Sequence, residues 1–528
     1  MHILSSIAIL LLAGRMVYGQ THVSVSSTSG KLEGIEQDGV MVFKGIRFAH
    51  PPTGQSRWTP PIPFVSNEHQ NATSFGPACF QQFAFGDSPA LMESIFNDPP
   101  QVENEDCLFI NVWAPSTPSK TKRAVVIWIY GGSLDFGTAS IAMYDGMSLA
   151  QNQDIIVVSF NYRTNVFGFP GAPDIPIQLN NLGFFDQELA VAWVQENIEQ
   201  FGGDKGKVTI MGQSAGGFSV SGLVVRHPED DPPFRAAIMF SGVVPDKNAT
   251  PSFNPFNGFA LAFNCTQAPG VERLNCLRNV SAEDIRVFTN GPQSGSFQPL
   301  IDNTTTFADN LERIRAGNVA RVALLTGSTQ NDGTLFTIGE NNLTNFLSTF
   351  QNRVPGGVSP DFVRSLYPDM NDTDVIEDAF RDVFFLCPAS LWTEAFVQSG
   401  ISSVFRYAYG PVFPDRQIFP NAGAWHSTEL PELFGTFNAS TATPNEVTLS
   451  KTFQTTIANF IKNPNESPAP NWPKYIPGNR SDTLAKLAYD GNVETENLVH
   501  VVRSDSLDVP CQELWNSLLD FGDGVAGA

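Results

Sequence analysis

Five short apolar runs, rich in β-branched residues, punctuate the chain at positions 124–130, 154–160, 208–211, 236–240 and 322–325. Each is apolar at consecutive rather than alternate positions, which predicts strands buried on both faces. Helical spacing lies between them. It is clearest over 187–201, where Leu189, Ala192, Val194 and Ile198 recur near a 3.6-residue period. Doubly buried strands alternating with helices predict an α/β fold with a large, mostly parallel central sheet flanked by helices. No internal repeat, low-complexity tract or Gly/Ser linker interrupts the 528 residues, so positions 21–528 are expected to form a single domain despite a prior of roughly 150 residues per domain.

The N-terminus follows a different pattern. An apolar run over residues 3–13, too short to span a bilayer, precedes the small-residue stretch Val17-Tyr18-Gly19, and residues 1–20 are read as a cleaved secretory signal. The missing basic start and Arg15 depart from the usual signal pattern. The mature chain is expected to be secreted and extracellular. No later segment offers about 20 consecutive apolar residues, and the tail lacks a lipid-anchor signal, so no stable membrane anchor is expected.

Composition narrows the partners. With 31 basic against 53 acidic residues the formal charge is −22, which opposes contact with nucleic acid or anionic membranes. Phe is in excess, 42 against 9 Tyr and 8 Trp, so apolar surface is plentiful for a core or a pocket. Cys79, Cys107, Cys265, Cys276, Cys387 and Cys511 form an even set with no CxxC pair. This favours three disulfides in an oxidising compartment over a metal site, and spacing alone leaves their pairing open. Asn-X-Ser/Thr triplets at Asn71, Asn248, Asn264, Asn279, Asn303, Asn342, Asn371, Asn438, Asn465 and Asn479 add the expectation that several carry glycans.

The chemistry begins at Gly212-Gln213-Ser214-Ala215-Gly216-Gly217, placed between the strand pattern at 208–211 and a helical stretch at 218–225. A strand turning sharply into a helix pushes its central serine out above the sheet, and side chains at the flanking glycines would strike backbone. Ser214 is the candidate nucleophile, and the Ala215 N–H at the helix start is a candidate oxyanion donor. A serine hydroxyl needs a base, and the base needs an acid to fix its tautomer. In this setting the partners follow in the order serine, acid, histidine, which leaves His426 and His500. His426 sits in a small-residue loop and is preferred; His500 lies in an apolar stretch and reads as structural. Asp332, in a loop beyond the 322–325 strand, is the candidate acid, with Glu340 as the nearest alternative. Gly131-Gly132-Ser133 after the 124–130 strand supplies the other candidate oxyanion donors, Gly132 and Ser133.

Taken together, these residues resemble a type-B carboxylesterase/lipase, the α/β-hydrolase branch that includes cholinesterases and fungal lipases of the Candida rugosa kind. The similarity is carried by Phe201-Gly202-Gly203-Asp204 through Ser214-Ala215-Gly216, by Glu105-Asp106-Cys107-Leu108-Phe109-Ile110-Asn111-Val112, by Gly45-Ile46-Arg47-Phe48, Asn161-Tyr162-Arg163 and Asn181-Leu182-Gly183, and by His426 with Glu429-Leu430. It covers about residues 25 to 515. The resemblance implies an α/β-hydrolase fold and hydrolysis of carboxylic esters without a cofactor. It also implies Ser214, His426 and Asp332 as catalytic residues, Gly132, Ser133 and Ala215 as oxyanion donors, Gln213 and Ser241 as supporting residues, and the pairs Cys79–Cys107, Cys265–Cys276 and Cys387–Cys511. Asp332 and Gln213 both stand where the family usually has Glu, and Ser133 where a third Gly is usual. Gln213, and the absence of Trp from the Cys79–Cys107 loop, disfavour a choline ester and leave neutral apolar acyl esters as the expected substrates. That loop reads either as a mobile lid or as a fixed wall. The alternative function is a non-catalytic adhesion or binding protein on the same fold. Oligomeric state is not legible in the sequence.

Overall fold

The computed structural model describes residues 21–83, 89–246, 251–350, 358–477, 482–488, 499–511, 513 and 514. The signal segment and the acceptor sites Asn248 and Asn479 lie outside them. Among the described residues thirteen strands form one sheet: Thr21–Ser27 (β1), Gly30–Gln37 (β2), Val40–Arg47 (β3), His69–Asn71 (β4), Phe109–Pro115 (β5), Arg123–Ile129 (β6), Ile156–Phe160 (β7), Gly203–Gln213 (β8), Ala236–Phe240 (β9), Ala323–Thr329 (β10), Val404–Tyr409 (β11), Asp482–Leu487 (β12) and Val499–Arg503 (β13). Their order is β1-β2-β3-β5-β7-β6-β8-β9-β10-β11-β12-β13, with β4 beside β2.

The run from β7 to β12 is parallel throughout. It contains all five strands expected from the apolar runs. Complete burial of β6, β7, β9 and β10 explains why their sequences do not alternate. The margins are antiparallel, with β1, β2, β3 and β5 leading to β7 on one side and β13 on the other, except for the short β4, which pairs with β2 in parallel. Among these outer strands β1 and β2 carry no unbroken apolar run, because part of each is exposed. One continuous apolar core spans both faces of the sheet, from Leu32 to Ala488.

The helix expected at 187–201 begins earlier, as Leu182–Asn197, and tightens into a 3₁₀ turn at Ile198–Phe201. Its first turn buries Leu182, Gly183 and Phe184, and Asp186 just beyond makes a bidentate ion pair with buried Arg163. A helix start buried nearly all round shows no amphipathic period, so its boundary was not visible in the pattern. Three disulfides close Cys79–Cys107, Cys265–Cys276 and Cys387–Cys511. Among the described residues, no helix is long and apolar enough to cross a membrane.

Candidate active site

Because β6, β8, β10 and β11 run in parallel, the loops after their C-terminal ends gather on one edge of the sheet. Ser214 follows β8 directly and caps the helix Ala215–Arg226. Its backbone sits at φ 56°, ψ −127°, a conformation that costs energy and is held by neighbours on both sides. The Ser214 N–H donates to the Phe240 carbonyl of β9 at 2.9 Å, and its own carbonyl accepts from the Phe218 N–H at 2.9 Å. The flanking glycines are required by space. A Cβ on Gly212 would lie 2.4 Å from the Gly216 carbonyl, and one on Gly216 would lie 2.0 Å from the Ile129 carbonyl.

The structure joins Asp332 to His426, which are 94 positions apart, through a 2.8 Å bond between Asp332 Oδ1 and His426 Nδ1. The second carboxylate oxygen accepts from the Ser241 hydroxyl at 2.8 Å and from the Thr329 N–H at 2.9 Å. Both Asp332 and His426 are buried. The bond to the carboxylate keeps the proton on Nδ1 and leaves a lone pair on Nε2. Nε2 is met by the Gln213 amide at 3.1 Å, a contact that has to pass to the Ser214 hydroxyl before the base can act. Glu340 bonds through its backbone to Thr337 and Thr373. His500 lies exposed on β13, opposite Lys486, so it does not fill the core as its apolar neighbours suggested.

Several supporting residues were not singled out from sequence. Asn331 ties the two catalytic loops together: its N–H donates to the Ala424 carbonyl and its Oδ1 accepts from the Ala424 N–H, each at 3.0 Å. Phe385 stacks on the His426 ring at 4.7 Å, and Phe336 meets it edge-on at 5.0 Å. Phe385 belongs to a π-helical turn, Asp382–Leu386. Burial, followed by the charge of Asp332, pushes the Glu429 carboxyl well above the usual carboxylate range. The Phe excess hinted that rings would matter, but nothing local marks which of them reach His426.

The loop after β6 takes left-handed backbone at Gly132, Ser133 and Leu134, with φ 111°, 56° and 63°. A Cβ on Gly132 would lie 2.4 Å from the Phe136 carbonyl. Asn161, at the end of β7, braces this loop by accepting from the Ala139 N–H and donating to the carbonyls of Pro77 and Cys107. Ser133, Ser214 and Ala215 border one chamber, and the Gly132, Ser133 and Ala215 N–H groups have no acceptor within the described residues.

The profile of the Carboxylesterase family matches residues 20–501. The chain belongs to the carboxylesterase family. It is 32% identical to the para-nitrobenzyl esterase of Bacillus subtilis over 90% of this chain and 96% of the relative. It is 31% identical to carboxylesterase 1C of Rattus norvegicus over 85% and 87%, and 31% identical to the acetylcholinesterase of Bungarus fasciatus over 86% and 81%. A solved PNB esterase structure superposes with a TM-score of 0.74 at 30% identity, covering 94% of this chain and 100% of that one. The protein is thus a carboxylic ester hydrolase.

In this carboxylesterase two chambers meet at Ser214. The larger encloses about 960 Å³, part of it open to solvent, with Ala215, Phe218, Val243, Val244, Ile301 and Phe307 among its walls. The smaller spans about 360 Å³, also part open to solvent, and is bounded by His426, Gln213, Met92, Phe96, Tyr144 and Phe336. The Cys79–Cys107 loop carries a helix, Pro89–Phe96, whose buried Met92 and Phe96 line the smaller chamber.

Proposed function

We propose that this carboxylesterase is a secreted, glycosylated serine esterase that hydrolyses neutral, apolar acyl esters through Ser214, His426 and Asp332. The observation that carries the reading is the 2.8 Å Asp332–His426 bond, with the imidazole bordering the same chamber as a serine on a strained strand-to-helix turn. The Ser214 oxygen attacks the ester carbonyl while His426 Nε2 takes its proton. The Gly132, Ser133 and Ala215 N–H groups hold the oxyanion. The bond to the alcohol then breaks and the leaving oxygen takes the proton from Nε2. Water repeats the sequence on the acyl-enzyme, giving its proton to His426 and its oxygen to the acid. Asp332 holds the ring throughout and stabilises the imidazolium.

Neutral substrates are favoured because, among the described residues, no Asp, Glu, Lys or Arg lines either chamber. Secretion is supported by the pairing of all six cysteines. Glycosylation is supported by the exposure of Asn71, Asn264, Asn279, Asn303, Asn342, Asn371, Asn438 and Asn465. The decisive test is Ser214→Ala, which is expected to abolish both turnover of a p-nitrophenyl ester and labelling by a fluorophosphonate. Near-normal turnover in the variant would overturn the mechanism. Protein recovered from the medium is expected to lose mass on treatment with an N-glycosidase, and an unchanged mass would overturn the glycosylation reading.

A further inference from the structure

Nδ1 of His426 is committed to Asp332, so the lone pair on Nε2 is the ring's remaining acceptor. Among the described residues, the side chain hydrogen-bonded to it is Gln213, whose amide nitrogen stands 3.1 Å away. Gln213 ends β8 and is 1% exposed, with its backbone in register with Phe240 of β9. Room for this orientation comes from Gly131. A Cβ there would lie 3.2 Å from Gln213 Oε1, so the oxygen rests against the glycine while the NH₂ faces the ring. An ionised Glu, the usual residue at this position in the family, has no N–H to give to a neutral imidazole. The contact therefore depends on the departure at 213.

We infer that Gln213 is a positioning residue that parks the base: between turnovers its N–H holds the neutral His426, and it releases Nε2 to the Ser214 hydroxyl for each attack. This rests on the serine-esterase reading above and deepens it. The chemical steps are unchanged, and only the resting partner of the base is new. An N–H that donates to the lone pair favours the neutral ring, and it meets another N–H head-on once Nε2 is protonated. Gln213 therefore opposes protonation and extends the working range of the base toward acid. The same bond competes with the Ser214 hydroxyl for one lone pair, so it holds down the reactivity of the resting serine. The other titrating groups about the ring are Asp332 on Nδ1, Glu429 three residues further along the chain, Tyr407 on β11 and Tyr144 in the wall of the smaller chamber, the last three raised by burial. All four stay in place when Gln213 alone is changed, so a shift between variants belongs to residue 213.

The acid limb of kcat/KM against pH reports the base in the free enzyme. In Gln213→Met, which keeps the length and loses the N–H, that limb is expected to move up by about one pH unit, the effect of losing one hydrogen bond to the neutral ring. In Gln213→Glu, which keeps the shape and adds a charge that favours the imidazolium, it should move up further. Labelling by diisopropyl fluorophosphate, at a pH well above the limb, should be about tenfold faster in Gln213→Met than in the unaltered enzyme, because the serine no longer competes for the base. A residue that only packed the site would lower both rates and leave the limb in place. An amide that turned freely to accept from the protonated ring would also leave the limb in place. A limb that stays or moves down in folded Gln213→Met therefore overturns the inference, as does labelling no faster than in the unaltered enzyme. If the Met variant does not fold, Gln213→Glu, which carries the family's usual residue, decides by the same two readings. No turnover and no labelling of the folded, unaltered protein would instead mean that the serine-esterase reading had failed.

Discussion

Replacing Asp332 with Asn changes one atom and should remove nearly all turnover. Oδ2 of Asp332 accepts from the Ser241 hydroxyl at 2.8 Å and from the Thr329 N–H at 2.9 Å, while Oδ1 accepts from His426 Nδ1 at 2.8 Å. An asparagine keeps one acceptor oxygen and gains two donors. The Thr329 N–H is a fixed backbone donor, so the oxygen must face it, which turns the new NH₂ toward Nδ1. The imidazole then carries its proton on Nε2 and has no lone pair for the Ser214 hydroxyl. Gln213, 3.1 Å away, would hold this tautomer once its amide turned to accept. The loss in kcat should be about 10⁴-fold, or about 5.5 kcal/mol at 1.36 kcal/mol per tenfold. Because every hydrogen-bond position stays filled, the folding free energy should change by less than about 2 kcal/mol. The assay is kcat with p-nitrophenyl butyrate near neutral pH, beside a urea unfolding curve. A variant within tenfold of the parent kcat, or one that fails to fold, would refute this reasoning.

Gly216→Ala should destabilise the protein by upwards of about 3 kcal/mol, because its Cβ would lie 2.0 Å from the Ile129 carbonyl; the urea midpoint measures this, and an unchanged midpoint would contradict it. Burial, with the nearby Glu446 carboxylate adding and Arg416 opposing, pushes Glu432 up to about 8. An acid raised above its unfolded value of 4.5 binds its proton more tightly when folded, so stability should fall as pH rises from about 4.5 to about 8. Glu432→Gln should flatten that decline in Tm. Breaking Cys387–Cys511, which spans 124 positions, should cost about 4.7 kcal/mol, and breaking Cys265–Cys276, which spans 11, about 3. Unfolding curves of the paired Cys→Ser variants should show this order, and the reverse would count against the loop-closure account. Asn331→Ala removes the acceptor for the Ala424 N–H and should lower kcat by more than tenfold through misplacement of His426, with little change in KM.

Ser214 and the central strands were legible because their causes are local. The Gly-X-Ser-X-Gly spacing marks the turn within a few residues, and complete burial of β6, β7, β9 and β10 leaves unbroken apolar runs. His426 and Asp332 were reached through the order of partners and the resemblance, since an aspartate after a strand is otherwise an ordinary turn residue. The antiparallel margins were not legible. Half-exposed strands such as β1 owe their place to pairing with neighbours rather than to their own pattern.

The sequence by itself determined the α/β architecture, the serine and its turn, the six cysteines and the excess of Phe. Each is written in residue type and short spacing. Only the tertiary structure decided that Phe385 and Phe336 would enclose His426, that Asn331 would tie its loop to Asp332, that burial would raise the Glu429 carboxyl above the usual range, and that Ser214 would stand between a wide chamber and a narrow one. These contacts join residues tens to hundreds of positions apart, and they are fixed by the parallel register of the sheet and by close packing in the loops above it, neither of which leaves a local trace.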